Sequence, residues 1–195
     1  PLLGDDGGSG VGRADPGDGA GRRGDGRTGG VVKQHRPHRI GFVLEQALGH
    51  VTYGRNIATA VSRRADVDPV WLEVAWEPPT RTAKLPVIRS NWTLRASFEA
   101  RRLWTEARAE TFDALFLHTQ TVSLFAAGLM RRVPTVLSLD ATPMNFDAVG
   151  EAYDHHGGNA MVESMKRRAY KRVFAAATSF TTWSQWAKDS LIGDY

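Results

Sequence analysis

From Arg39 onward, apolar positions come in short runs separated by longer stretches in which they recur every three or four residues. The runs are Ile40-Gly41-Phe42-Val43-Leu44, Ala114-Leu115-Phe116-Leu117-His118 and Thr135 to Asp140, and each reads as a buried strand. Pro69 to Trp76 alternates instead, with Val70, Leu72, Val74 and Trp76 against Trp71, Glu73 and Ala75, until Pro78-Pro79 stops it. Phe180 to Trp183 makes a fifth strand. Between them the spacing predicts helices over Tyr53 to Arg64, Thr93 to Glu110, Val122 to Arg132, Met161 to Ala176 and Gln185 to Ile192. Thr52 is expected to cap the first of these. Residues 80–91 and 141–158 are expected to be loops. Strands that alternate with helices imply a parallel α/β sheet with right-handed crossovers and helices on both faces.

Ahead of Arg39 the pattern disappears. Gly4 to Gly30 is rich in Gly, Asp and Arg and almost without large apolar side chains. Such a segment buries too little apolar surface to offset its ordering entropy, so residues 1–38 are expected to be a disordered tail and residues 39–195 the folded domain. Arg and Asp nearly cancel along the tail, so it is not a basic arm for nucleic acid. The chain carries a net charge of +4, with five of its cations (Lys166, Arg167, Arg168, Lys171 and Arg172) on the Met161–Ala176 helix. They make either a solvated face or a contact with anionic lipid at the periphery of a membrane. Without cysteine there is no disulfide framework and no thiolate metal site, which fits a cytoplasmic protein. The opening Pro1-Leu2-Leu3-Gly4-Asp5 does not have the basic-then-apolar order of a secretory signal, and no apolar run approaches the length of a membrane span.

In parallel sheets ligands bind outside the carboxyl ends of the strands. That rule selects Gly49 and His50 after the first strand, His118 at the end of the third, and Asp140 and Thr142 at the end of the fourth. Gly49 lets a backbone approach a ligand closely, or simply makes a tight turn. His50 stands where a general base would face a cleft, or bonds locally. His118 suits a proton acceptor or a sugar-hydroxyl partner, or is a half-buried imidazole held by a neighbouring carbonyl. Asp140 and Thr142 suit a polyhydroxylated ligand, or are ordinary turn residues before Pro143. No Gly-x-Gly-x-x-Gly follows the first strand, and there is no His/Asp/Glu cluster at metal-ligand spacing, so neither a metal nor another cofactor is expected.

Three passages resemble the N-terminal, acceptor-side half of GT-B glycosyltransferases, and most of all glycosyltransferase family 4. They are RIGFVLEQALGHVTYGRNIATAV from Arg39 to Val61, FDALFLHTQTVSLFAAGLMRRVPTVLSLDATP from Phe112 to Pro143, and AMVESMKRRAYKRVFAAATSFTTWSQWAKDSLI from Ala160 to Ile192. The resemblance implies a Rossmann-like domain in a hexosyltransferase whose co-substrate is a nucleotide-sugar and whose acceptor is a sugar or a lipid-linked sugar. Gly49 would then face the donor diphosphate, His118 would be the active-site histidine near the reacting sugar, and Asp140 and Thr142 would lie on the acceptor side. It also implies a second Rossmann-like domain beyond Tyr195 that holds the donor, so this chain alone is expected not to turn over. Trp183 and Trp186 are expected to be exposed at the strand-end edge where that domain would dock. Leu48 stands where the family has a second glycine, and Asp140 where it more often has His. The Gly49-His50 pair is also similar to inverting GT-B enzymes, in which a His here is the general base, so retention and inversion both stay open. The alternative is a single Rossmann-like domain that binds a nucleotide or small ligand without transferring a sugar.

Overall fold

The computed structural model describes residues 36–47, 49–77, 88, 91–149 and 160–195. Five strands form one sheet: β1 (His38–Gln46), β2 (Val67–Ala75), β3 (Ala114–His118), β4 (Thr135–Leu139) and β5 (Ser179–Thr182). Their order is β2-β1-β3-β4-β5, and every neighbouring pair is parallel. The helices are α1 (His50–Val61), α2 (Trp92–Glu106), α3 (Ala127–Met130), α4 (Pro143–Ala148), α5 (Ala160–Phe174) and α6 (Gln185–Asp194). The protein is thus an α/β, Rossmann-like domain.

The order explains the layers. From β1 the chain steps one way to β2 and afterwards the other way to β3, β4 and β5. Crossovers of one hand that reverse direction put their helices on opposite faces, so α1 covers one face and α2 and α5 the other. Buried on both sides, β1 is apolar almost without a break from Gly41 to Leu44. Leu72, Val43, Leu117, Leu137 and Phe180 form one register row on the α2/α5 face. Ala96, Ala100 and Trp104 of α2 and Tyr170, Val173 and Phe174 of α5 close over it. Gly41 on this face is a steric necessity, because a Cβ there would meet the Phe112 ring at 2.6 Å.

Several boundaries differ from the sequence reading. The fold begins before Arg39: His38 opens β1, and the Arg36 guanidinium pairs with Asp113 at 2.7 Å. Residues 1–35 of the expected tail lie outside the described residues, as do most of residues 80–91 and residues 150–159 of the expected loops. Gly49, not Thr52, is the N-cap of α1, and Thr52 lies inside the first turn. The helix expected over Val122 to Arg132 is a 3₁₀ turn at Thr121–Ser123 followed by the single-turn α3. The loop after β4 contains α4, which starts on a capping box with Pro143 in its first turn. Among the described residues no helix is long and apolar enough to cross a membrane.

Candidate functional site

The chain leaves β1 in opposite directions for β2 and β3, so a crevice opens between β1 and β3 at their carboxyl ends. His118 is the last residue of β3. Because side chains alternate along a strand, Leu117 points to the α2/α5 core and His118 to the α1 face. There it lies in a nest of rings. Tyr53 from the first turn of α1 stacks on it at 4.5 Å between centroids, and Trp183, just after β5, stacks at 5.4 Å. His50 meets it edge-on at 4.9 Å. Ser138, beside His118 in the sheet register, ties two of these rings together. The Trp183 indole donates to Ser138 Oγ at 3.1 Å, and Tyr53 Oη shares a hydrogen bond with the same oxygen at 3.2 Å.

His118 is fully shielded from solvent in this arrangement, yet neither ring nitrogen has a hydrogen-bond partner among the described residues. His50 Nδ1 and Asp140 Oδ1 are likewise buried and unpartnered. His50 Nε2 lies 3.8 Å from Asp140 Oδ2, too far for a hydrogen bond but close enough for attraction when the imidazole is protonated. Each buried polar atom left without a partner costs about 1–3 kcal/mol. Four on three neighbouring side chains are a concentrated cost, of the kind proteins keep where a ligand completes the bonding. Burial, and then the neighbouring His50, pushes the His118 pKa down to about 3. The imidazole is therefore neutral at physiological pH and offers one donor and one acceptor.

A second network braces the β1 side. Glu45 is buried and accepts a 2.6 Å bond from the Trp92 indole and a short one from the Thr119 hydroxyl. Burial raises its pKa, and those two hydrogen bonds work against the rise. Thr119 has φ 77, a conformation that is strained for a β-branched residue. Its amide donates to the Ser138 carbonyl at 2.8 Å, so its side chain and its backbone both hold the turn that follows His118.

The structure brings together His50, His118 and Asp140, with Gly49 at the adjoining helix start. Gly49 has ordinary right-handed helical geometry, and a Cβ added there would meet nothing within 4 Å. What it supplies is open space beside the first-turn amides of α1, a setting that favours anions. Thr142 is not part of the cluster. It is fully buried, its hydroxyl caps α4 by accepting from the Asn145 amide at 3.1 Å, and it shares a 2.6 Å bond with Ser190. Trp183 and Trp186 are 43% and 48% exposed. Trp183 belongs to the ring nest, a role that exposure alone does not reveal.

Sequence reasoning missed Tyr53, Ser138, Glu45 and Thr119. A carboxylate directly after Phe42-Val43-Leu44 is a usable signal for Glu45, since a charge continuing an apolar strand must find partners. Nothing in the sequence marks Thr119, whose strain depends on Glu45 and Ser138 from other strands. Comparison with known proteins gives no significant match to a family model, a curated protein or a solved structure.

Proposed function

We propose that this domain is the acceptor-side half of a glycosyltransferase that moves a hexosyl group from a nucleotide-sugar. The observation that carries the reading is the convergence of unpartnered, buried polar atoms of His50, His118 and Asp140 at the strand-end crevice. A polyhydroxylated ligand has both donors and acceptors to satisfy them. In this reading neutral His118 hydrogen-bonds a hydroxyl of the transferred sugar. His50, with Asp140 beside it, is placed to take the proton of an acceptor hydroxyl, the general-base role of an inverting transfer. The space at Gly49 suits the donor diphosphate at the start of α1. Because Trp183 covers His118 and is itself half exposed, the sugar reaches the imidazole by displacing that ring. The donor domain implied by the sequence resemblance holds the nucleotide.

The test is to express the chain with its natural C-terminal continuation and to measure release of nucleoside diphosphate across a panel of nucleotide-sugars. Acceptor-dependent release, lost in His118→Phe, is the expected result. Release from no donor, together with tight binding of a nucleotide to the wild-type chain, would replace transfer by the second reading, a ligand-binding domain. The adjoining Tyr53 and Trp183 rings favour that alternative, since aromatic faces suit a base.

A further inference from the structure

The helix α5 carries a surface that the crevice does not use. Tyr170, Val173 and Phe174 turn into the α2/α5 core. At 3.6 residues per turn, the opposite side of the helix is the stripe Met161, Met165, Arg168 and Arg172, spaced by four, three and four residues. Met161 is 73% and Met165 66% exposed, and Val162 beside them is 53% exposed. Two unbranched apolar side chains held out to solvent are followed on the same stripe by two cations.

The structure also divides the five cations of this helix. Lys166 is spent inside the fold, paired with Asp147 of α4 at 2.7 Å and with Glu163 at 2.6 Å. Arg167 donates to the Asp194 carbonyl at 2.9 Å and ties α5 to α6. Arg168, Lys171 and Arg172 are exposed and make no ion pair among the described residues. We infer that the outward face of α5 is a docking surface for an anionic lipid bilayer, with Met161 and Met165 entering the boundary between headgroups and acyl chains and Arg168, Lys171 and Arg172 meeting lipid phosphates. A nucleic acid would satisfy the cations but would offer the methionines nothing. A bilayer surface satisfies both within the shallow depth that an interfacial helix reaches. This inference stands apart from glycosyl transfer and holds whatever the crevice binds.

The test is flotation of the full chain with phosphatidylcholine vesicles that either contain or lack phosphatidylglycerol. Binding is expected only with the anionic lipid and should weaken as salt rises. Arg168→Gln/Arg172→Gln should lower the partition coefficient on the order of thirtyfold at low salt. Met161→Ser/Met165→Ser should remove the part of the binding that survives high salt. The control is Arg131→Gln/Arg132→Gln, an equal change of charge at exposed positions beside α3, which should bind like wild type. All variants change surface positions, and their thermal midpoints verify folding. The inference is overturned by absence of flotation, by an equal loss in the Arg131/Arg132 control, or by binding to RNA in place of vesicles.

Discussion

On the face toward α2 and α5 the sheet carries Leu72, Val43, Leu117, Leu137 and Phe180 in one register row, sealed under helices. On the face toward α1 the same strands carry Trp71, Phe42, Phe116 and Val136, and then, at the strand ends, His118 and Ser138. Phe42 stacks on Trp71 at 4.6 Å and lies 5.9 Å from Phe116, so this face is built of rings and ends in the nest around His118. Apart from the buried Glu45, which is satisfied by Trp92 and Thr119, the first face contributes apolar packing. The second holds four unpartnered polar atoms next to its packing. The boundary between these chemistries runs through one peptide bond, between Leu117 and His118.

The largest expected effect lies on the aliphatic side of that bond. Leu117 is fully buried, so Leu117→Ala removes packed atoms and leaves a cavity, for a loss of about 2–5 kcal/mol. Urea unfolding measures it. A loss below about 1 kcal/mol would show that the core closes around the change and that the two faces do not differ in rigidity. The substitution across the bond should behave oppositely. His118→Phe keeps a ring against both Tyr53 and Trp183 but replaces both unpartnered nitrogens by carbon. Stability should be unchanged or higher. In the proposed transferase, turnover should fall on the order of 10²-fold, as when one transition-state contact is lost. A variant that loses stability while the folded fraction keeps its rate would make His118 a packing residue.

A somewhat smaller effect follows from the His118 pKa. In the unfolded chain this imidazole protonates near its ordinary value of 6.5, whereas in the fold it does so only near about 3. Between those values the unfolded state holds the extra proton, so stability falls as pH drops below 6.5, and the penalty is absent above it. The slope is about 1.4 kcal/mol per pH unit, or about 2 kcal/mol between pH 6.5 and pH 5. Glu45 acts with the opposite sign, since its raised pKa makes the fold gain stability as pH falls through the carboxylate range. The histidine effect is therefore cleanest above that range. Denaturant midpoints for wild type and His118→Phe should diverge as pH falls from 6.5 to 5, because only the wild type loses stability. Parallel curves would mean that water reaches the imidazole and that the nest is open.

The two faces were not equally legible in the sequence. The aliphatic face follows from apolar runs, and Ala114 to His118 and Pro69 to Trp76 fall within a residue or two of β3 and β2. Of the residues the strand-end rule selects, the fold brings His50, His118 and Asp140 side by side. What failed depends on contacts between distant segments. Tyr53 looked like the opening of a helix, and only the fold stacks it on His118, 65 positions later in the chain. Val122 to Arg132 has helical spacing, but Thr121 to Ser123 are buried under α2, where the Ser97 hydroxyl donates to the Thr121 carbonyl at 2.5 Å. That packing overrides local preference. Helix α4 has a signal in Thr142-Pro143-Met144-Asn145, a cap followed by Pro, but the same residues also suit a turn.

Thr142 gives the smallest expected effect and the sharpest contrast within the strand-end edge. It lies two residues beyond Asp140, so chain position alone puts both beside a ligand. The structure separates them: Asp140 keeps an unpartnered oxygen, whereas the Thr142 hydroxyl is fully engaged with Asn145 and Ser190. Thr142→Ala should therefore cost stability alone, about 1 kcal/mol for the lost cap. Thr142→Ser restores the oxygen and should recover most of that loss. Specific activity in the proposed transfer, per folded molecule, should stay within about twofold of wild type, since the hydroxyl removed is engaged with Asn145 and Ser190. Asp140→Asn is the paired measurement. It leaves α4 capped but removes the charge facing His50, and should lower the rate with little change in the midpoint. A rate loss in Thr142→Ala as large as in Asp140→Asn, at equal folded fraction, would place Thr142 in the ligand site and erase the distinction.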